Sequence, residues 1–337
     1  MKILALVLAG GEGTRLYPLT ADYPKPALPF VSGYRIVDFV LSNLVNSSIA
    51  PIYVVAQYKP ESLVQHIGTA WARWSTGPQS SIRIVLPGGG NGAIRFKGTA
   101  DAVFQNLDLI RQHQPDLVAV FAADHVYRMD VRQMVDFHVA RNADVTVAAV
   151  PVPIRHASSF GIMVTGSDGS IREFQEKPSE PVPAPNDPTR AHASMGNYLF
   201  DRDVLLGLLE AAQRRGAIDF GRDVLPGLPR CCRVLAYDFT SNQVPGIKPY
   251  EESAYWRDVG TLDSLVAARN DVLGPRPRFD LGNRRWPIHG GGPSELFGKL
   301  SDWNERSSRL NPVNPEPRGV PRVDDRVRHT VGPAQSS

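Results

Sequence analysis

The chain has 337 residues, 42% hydrophobic and 21% charged, a balance that suits a globular protein with one large core or two smaller ones and excludes fibrous and disordered classes. Its formal net charge is only +3, with cations scattered along the chain, so a nucleic-acid or anionic-membrane surface is not expected. The two cysteines, Cys231 and Cys232, are adjacent and offer neither a disulfide framework nor a CxxC metal pair; together with the lack of any run of about 18 apolar residues, they predict a cytoplasmic protein.

An apolar run at residues 3–8 leads straight into Ala9, Gly10, Gly11, Glu12, Gly13, Thr14 and Arg15. A buried strand that ends in glycines predicts a phosphate cradle. Without a Cβ the backbone can approach an anion, and successive N–H groups and a following helix start supply partial positive charge. Arg15 adds a forked full charge. The spacing G-G-x-G-T-R is neither a Walker loop nor the G-x-G-x-x-G of dinucleotide folds. A tight turn without a ligand would read the same way, but Lys25, followed by Pro26, sets a second cation soon after the loop and favours a polyphosphate.

Short apolar runs then alternate with amphipathic stretches at 35–45, 52–56, 61–74, 101–112, 117–122, 131–140 and 145–150. That β-α-β rhythm predicts an α/β fold with a mostly parallel sheet covered on both faces. From about Phe160 the pattern turns strand-like, with 161–165 and 171–175 joined through Gly166, Ser167, Asp168 and Gly169 as a hairpin that roofs one side of the site. A Pro-rich loop at 178–188 precedes a strand at 194–200 and a helix at 202–214, and the sheet resumes near 233–239.

Ligands in such sheets bind beyond the carboxyl ends of strands. Asp124 follows the run 117–122, and Asp258 stands shortly before Gly260; taken alone, each is more ordinary as a helix cap. Two carboxylates from different strand ends that face a triphosphate are the usual oxygen-ligand set for Mg²⁺. Glu176 and Lys177, just before Pro178, suit sugar hydroxyls and a monophosphate, or else form an exposed ion pair worth under about 1 kcal/mol.

The segments LAGGEGTRL, YPKPALPF, YRIVDFVLSN, AQYK, GTADAV, ADHVYRMD, FQEKP, ASMGNYLF and YWRDVGTLD occur in this order within residues 1–288. Together they resemble the glucose-1-phosphate adenylyltransferases, the ADP-glucose pyrophosphorylases of bacterial glycogen synthesis; YRIVDFVLSN and YWRDVGTLD separate the chain from thymidylyl- and guanylyltransferases. The resemblance implies a Rossmann-like nucleotidyltransferase domain with a mostly parallel mixed sheet over 1–275, a remnant at 276–290 of the linker to the family's β-helix domain, and a low-order Pro-, Arg- and Ser-rich tail over 291–337. It implies transfer of AMP from ATP to glucose 1-phosphate with Mg²⁺, in a family that assembles as homotetramers. No side chain need form a bond, since positioning and charge can catalyse the displacement.

By the same resemblance, Arg15, Lys25, Asp124 and Asp258 carry catalysis, and the two acids bind the metal. Gly10, Gly11, Gly13 and Thr14 hold the triphosphate. Gln57, Gly98 and Thr99 border adenine, and Phe96, Gly161, Glu176, Lys177 and Ser194 surround glucose 1-phosphate. Ser194 also reads as a serine that satisfies a strand-edge backbone group.

The chain departs from the family pattern at Phe96, where a tyrosine is usual; at Ala123, where a glycine is usual; and at Gly88, Gly89, Gly90, Asn91 and Gly92. A hydroxyl lost at Phe96 is expected to weaken sugar binding by about 1–3 kcal/mol if it leaves a buried group unpaired. After Trp286, Pro287 and Ile288 the hexapeptide period of the family's β-helix does not follow. The tail therefore reads as the product of a shifted reading frame, and loss of the β-helix is expected to remove activator and tetramer contacts and to leave a less stable fragment. The rival readings are a regulatory, silent paralogue, against which intact Asp124, Lys177 and Asp258 argue; a degenerate gene product that folds but does nothing; and a transferase for another nucleotide or sugar phosphate.

Overall fold

The first strand shows how the fold is organised. In β1 (Ile3–Leu8), Ala5 and Val7 enter one apolar cluster and Leu4 and Leu6 another, the two-faced burial of a strand covered on both sides. The computed structural model describes residues 1–76, 81–90 and 95–291. All lie in the first of the chain's two units, Met1–Ser294; Asn91, Gly92 and the tail beyond Gly291 lie outside the described residues.

The elements that follow are α1 (Ile36–Asn46), β2 (Ile52–Val55), α2 (Glu61–Ala70), α3 (Ala72–Ser75), β3 (Ile82–Val85), α4 (Thr99–Phe104), α5 (Leu107–His113), β4 (Leu117–Ala122), β5 (His125–Tyr127), α6 (Val131–Ala140), β6 (Val145–Pro153), β7 (Gly161–Thr165), β8 (Ile171–Glu176), β9 (Arg190–Asp201), α7 (Arg202–Arg214), β10 (Val234–Asp238), β11 (Trp256–Asp258) and α8 (Leu262–Asp271). The main sheet runs β10-β6-β9-β4-β1-β2-β3, and the β7–β8 hairpin joins at β9. Strands β4, β1, β2 and β3 are mutually parallel, as are β10 and β6, whereas β9 is antiparallel to both β4 and β6. The sheet is thus the mixed, mostly parallel one predicted.

Helices cover both faces. Val40 and Leu41 of α1, Ile67 of α2 and Met134 of α6 are buried against one; Val103 of α4, Ile110 of α5, and Leu205 and Leu209 of α7 against the other. A third cluster, with Leu16, Phe39, Val126, Val259, Leu265 and Phe279, joins α8 to an antiparallel ribbon of β5 and β11.

Three local expectations are corrected. The stretch 61–74 is two helices, because fully buried Trp71 leaves helical geometry (φ −109, ψ 17) and turns its Nε1 onto Asp38 Oδ1 at 2.7 Å. The stretch 101–112 breaks at Asn106 (φ −113, ψ 17), whose side-chain amide donates to the Ala102 carbonyl at 2.8 Å and competes with the helix. The strand expected at 194–200 begins at Arg190, its first half hidden in the sequence by alanines and a histidine of little strand character.

Residues 276–290, expected as a linker remnant, are packed on this domain. Phe279, Trp286 and Ile288 are buried. The Asp280 carbonyl accepts from Arg128 Nη2 at 2.6 Å, the Pro287 carbonyl from Asn46 Nδ2 at 2.9 Å, and Ser42 Oγ from the His289 N–H at 2.8 Å.

Candidate active site

The glycine loop leaves β1 without the helix start expected after it. Thr14–Leu16 is a single 3-10 turn, and the first α-helix begins only at Ile36. The turn stops because Tyr17 precedes Pro18 and takes an extended conformation (ψ 137). Positive potential here therefore comes from backbone N–H groups and whole charges, not from a helix terminus. Gly13 sits at φ 67, and a Cβ on it would lie 2.9 Å from Lys25 Cβ, so glycine both makes the turn and admits the lysine stem.

Lys25 opens the 3-10 turn Lys25–Ala27 between Pro24 and Pro26 and is 6% exposed. Its Nζ lies 3.1 Å from Asp124 Oδ2 and 3.2 Å from Asp258 Oδ1, bridging the two acids. These carboxylates, far apart in sequence, meet because β5 and β11 pair with Asp258 opposite His125, while Asp124 immediately precedes β5. Trp256 packs on His125 at 5.1 Å between ring centroids and on Phe160 at 5.6 Å. His125 Nδ1 is 3.1 Å from Asp124 Oδ1 but out of line for a hydrogen bond, leaving this nitrogen buried and unpartnered.

Burial opposes the charge on Asp124, yet His125 and Lys25 outweigh it and lower its carboxyl to about 2. One donor atom each from Asp124, His125 and Asp258 falls within 4.8 Å of the others. Two carboxylates and an imidazole around a point where an ammonium already sits form a group able to hold a divalent metal.

Across the cleft, Gly161 of β7 pairs with Glu176 of β8. A Cβ on Gly161 would meet Phe174 Cζ at 2.5 Å, and one on Gly221 would meet Glu176 Oε2 at 2.6 Å, so glycines wall the carboxylate on both sides. Lys177, at φ 47, places Nζ 3.3 Å from Glu176 Oε1. The ion-pair alternative is thus realised, though both residues line the cleft and Lys177 keeps 61% of its side chain exposed. Ser194 Oγ accepts from the Gly196 N–H at 3.2 Å, satisfying the backbone as its plainer reading has it. This happens at a bulge where the β9–β6 register shifts and Gly196 takes φ 71.

On the remaining side, Gln57 clamps the Phe96 backbone. Its Nε2 donates to the Phe96 carbonyl at 3.2 Å and its Oε1 accepts from the Phe96 N–H at 2.5 Å. Phe96 is 8% exposed and belongs to the second apolar cluster. A Cβ on Gly98 would lie 2.5 Å from the Ile218 carbonyl oxygen. Thr99 Oγ1 donates to Asp219 Oδ2 at 2.9 Å and accepts from the Phe220 N–H at 2.9 Å.

Every site residue named from the sequence lines one cleft of about 640 Å³. The sequence reading missed His125, Lys97, Phe160, Gly196, Tyr198, Asp219 and Gly221, which line it too. The one available signal was Asp219 two residues before a glycine, the same spacing as Asp258 and Gly260.

A glycine-rich loop after the first strand of a mixed α/β sheet, facing an acid pair from a separate ribbon, defines a nucleotide-transfer site, and a profile of the nucleotidyl transferase family matches residues 4–274. Relatives named glucose-1-phosphate adenylyltransferase include those of Thermodesulfovibrio yellowstonii, 53% identical over 289 residues covering 86% of this chain and 70% of the relative; Thermus thermophilus, 47% over 296 residues, 86% and 71%; and Mycobacterium ulcerans, 48% over 290 residues, 86% and 71%. The chain belongs to the nucleotidyl transferase family, within its glucose-1-phosphate adenylyltransferase branch.

Proposed function

We propose that the chain transfers AMP from ATP to α-D-glucose 1-phosphate, giving ADP-glucose and pyrophosphate, and so supplies the glucosyl donor for glycogen. The observation that carries this reading is convergence: the glycine loop, the acid pair and the Glu176–Lys177 hairpin end face one cleft.

The roles follow from position. Backbone N–H groups of Gly10, Gly11, Gly13 and Thr14 cradle the triphosphate. Arg15, which has no side-chain partner among the described residues, stabilises charge building on pyrophosphate as the α-phosphorus–oxygen bond breaks. Gln57, Gly98 and Thr99 border the base. Glu176 accepts from sugar hydroxyls while Lys177 holds the sugar phosphate, whose oxygen attacks the α-phosphorus in line with the departing group. Mg²⁺ held by Asp124 and Asp258, with His125 beside them, would neutralise charge on phosphate oxygens. Since phosphate oxygen is already a competent nucleophile, no general base is needed and none is assigned.

The test is pyrophosphate release from purified full chain with glucose 1-phosphate, Mg²⁺ and, in turn, ATP, dTTP, UTP and GTP. Release with ATP well above the others is expected; no release from a folded sample that binds ATP would mean a silent paralogue. Among the described residues no helix is long and apolar enough to cross a membrane.

A further inference from the structure

Lys25 stands where its charge and a metal's would compete. Its Nζ touches one oxygen of each acid, at 3.1 Å on Asp124 and 3.2 Å on Asp258, and no other side-chain acceptor is recorded for it among the described residues. Its position is tightly set: prolines stand on both sides, only 8% of the side chain is exposed, and the stem rests against Gly13. A divalent ion bound by these oxygens would share them with a buried ammonium of like sign. The glycine loop runs alongside, so a triphosphate lying on it offers that ammonium a new anionic partner.

We infer that Lys25 guards the metal site: it neutralises Asp124 and Asp258 in the free protein and yields them to the divalent ion only when a polyphosphate takes over its charge. The inference rests on the acid pair being the metal site. In the free chain the ammonium keeps the two like charges from spreading the β5–β11 ribbon, and it disfavours binding of a metal without its nucleotide. Metal and nucleotide thereby enter as one event.

The experiment measures Mn²⁺ binding to the full chain without nucleotide, by the electron paramagnetic resonance signal of the free ion. It compares the native chain with Lys25→Met, Lys25→Arg and Lys25→Met/Asp258→Asn, each checked for native circular dichroism. Lys25→Met is expected to bind Mn²⁺ at least tenfold tighter than the native chain. Lys25→Arg, with the charge restored, should bind as weakly as the native chain, and the double variant should lose the gain. Should Lys25→Met fail to fold, Lys25→Gln replaces it with the same expectation. Equal Mn²⁺ affinity in the native and neutral variants overturns the guard; a gain that survives Asp258→Asn overturns the metal site itself.

Discussion

At the scale of single residues, the site divides into charge that must be present in the transition state and charge that holds a substrate throughout. Asp124→Asn keeps the side chain's shape and removes a ligand charge. Turnover in the pyrophosphate assay should fall by about a hundredfold or more, with native circular dichroism but a lowered thermal midpoint, because Lys25 and His125 favour the charged carboxyl in the folded chain. Lys177 is exposed and would touch a phosphate present in ground and transition states alike. Lys177→Ala should therefore raise KM for glucose 1-phosphate by about tenfold or more, the loss of a charge-assisted hydrogen bond, with kcat nearly unchanged; a steady-state series in glucose 1-phosphate separates the two parameters. The glycine loop, Lys25 and both acids were legible because each breaks a local pattern: a strand that ends in glycines, a cation between prolines, an acid at a strand end. His125 was not, since an imidazole after an aspartate reads like any half-buried histidine until β11 is placed beside it. Asp219 likewise needs Thr99 brought from a distant helix before its carboxylate has a purpose.

At the scale of elements, the acids are delivered by a ribbon of only three residue pairs, and its aim depends on Trp256. Trp256→Ala removes the plate behind His125 and Phe160 and is expected to cost about 3–5 kcal/mol of stability and to lower kcat more than it raises either KM; chemical denaturation and kinetics on one preparation check both. Two glycine substitutions should separate scaffold from site. Gly98→Ala would meet a backbone carbonyl at 2.5 Å, which cannot swing aside, so its main effect should be on unfolding. Gly221→Ala would meet the tip of Glu176 at 2.6 Å, which can swing, so it should raise KM for glucose 1-phosphate while leaving the denaturation midpoint near native. The alternation of apolar runs made most strands and helices readable. The helix breaks at Trp71 and Asn106 were not, because tertiary partners cause them: Asp38 for the first, and for the second a side-chain bond that outweighs modest propensity.

At the scale of the whole molecule, three histidines shape how stability answers to mild acid. Burial lowers the imidazole of His138 below its ordinary value near 6.5, against a raising effect of Asp201. His192 is lowered by burial against Asp238, and His289 by burial and Arg73 against Asp38. Below about pH 6.5 the unfolded chain binds more protons than the folded one, so stability is complete above that pH and declines as pH falls through it, by at most about 1.4 kcal/mol per pH unit for each histidine. Urea unfolding at about pH 7.5 and about pH 5.5 should show the loss, and His138→Gln should reduce it. The antiparallel strand β9 carries a consequence for the order of assembly. It lies between β4 and β6, both of which leave the ribosome first, so the edges of β4 and β6 that face it stay open until residues up to Asp201 have emerged. A chain stalled before Arg190 is expected to bind chaperone or precipitate, one released past Asp201 to close the gap and bind chaperone less, and one released past Asp238 to lose the remaining affinity as β10 covers the far edge of β6.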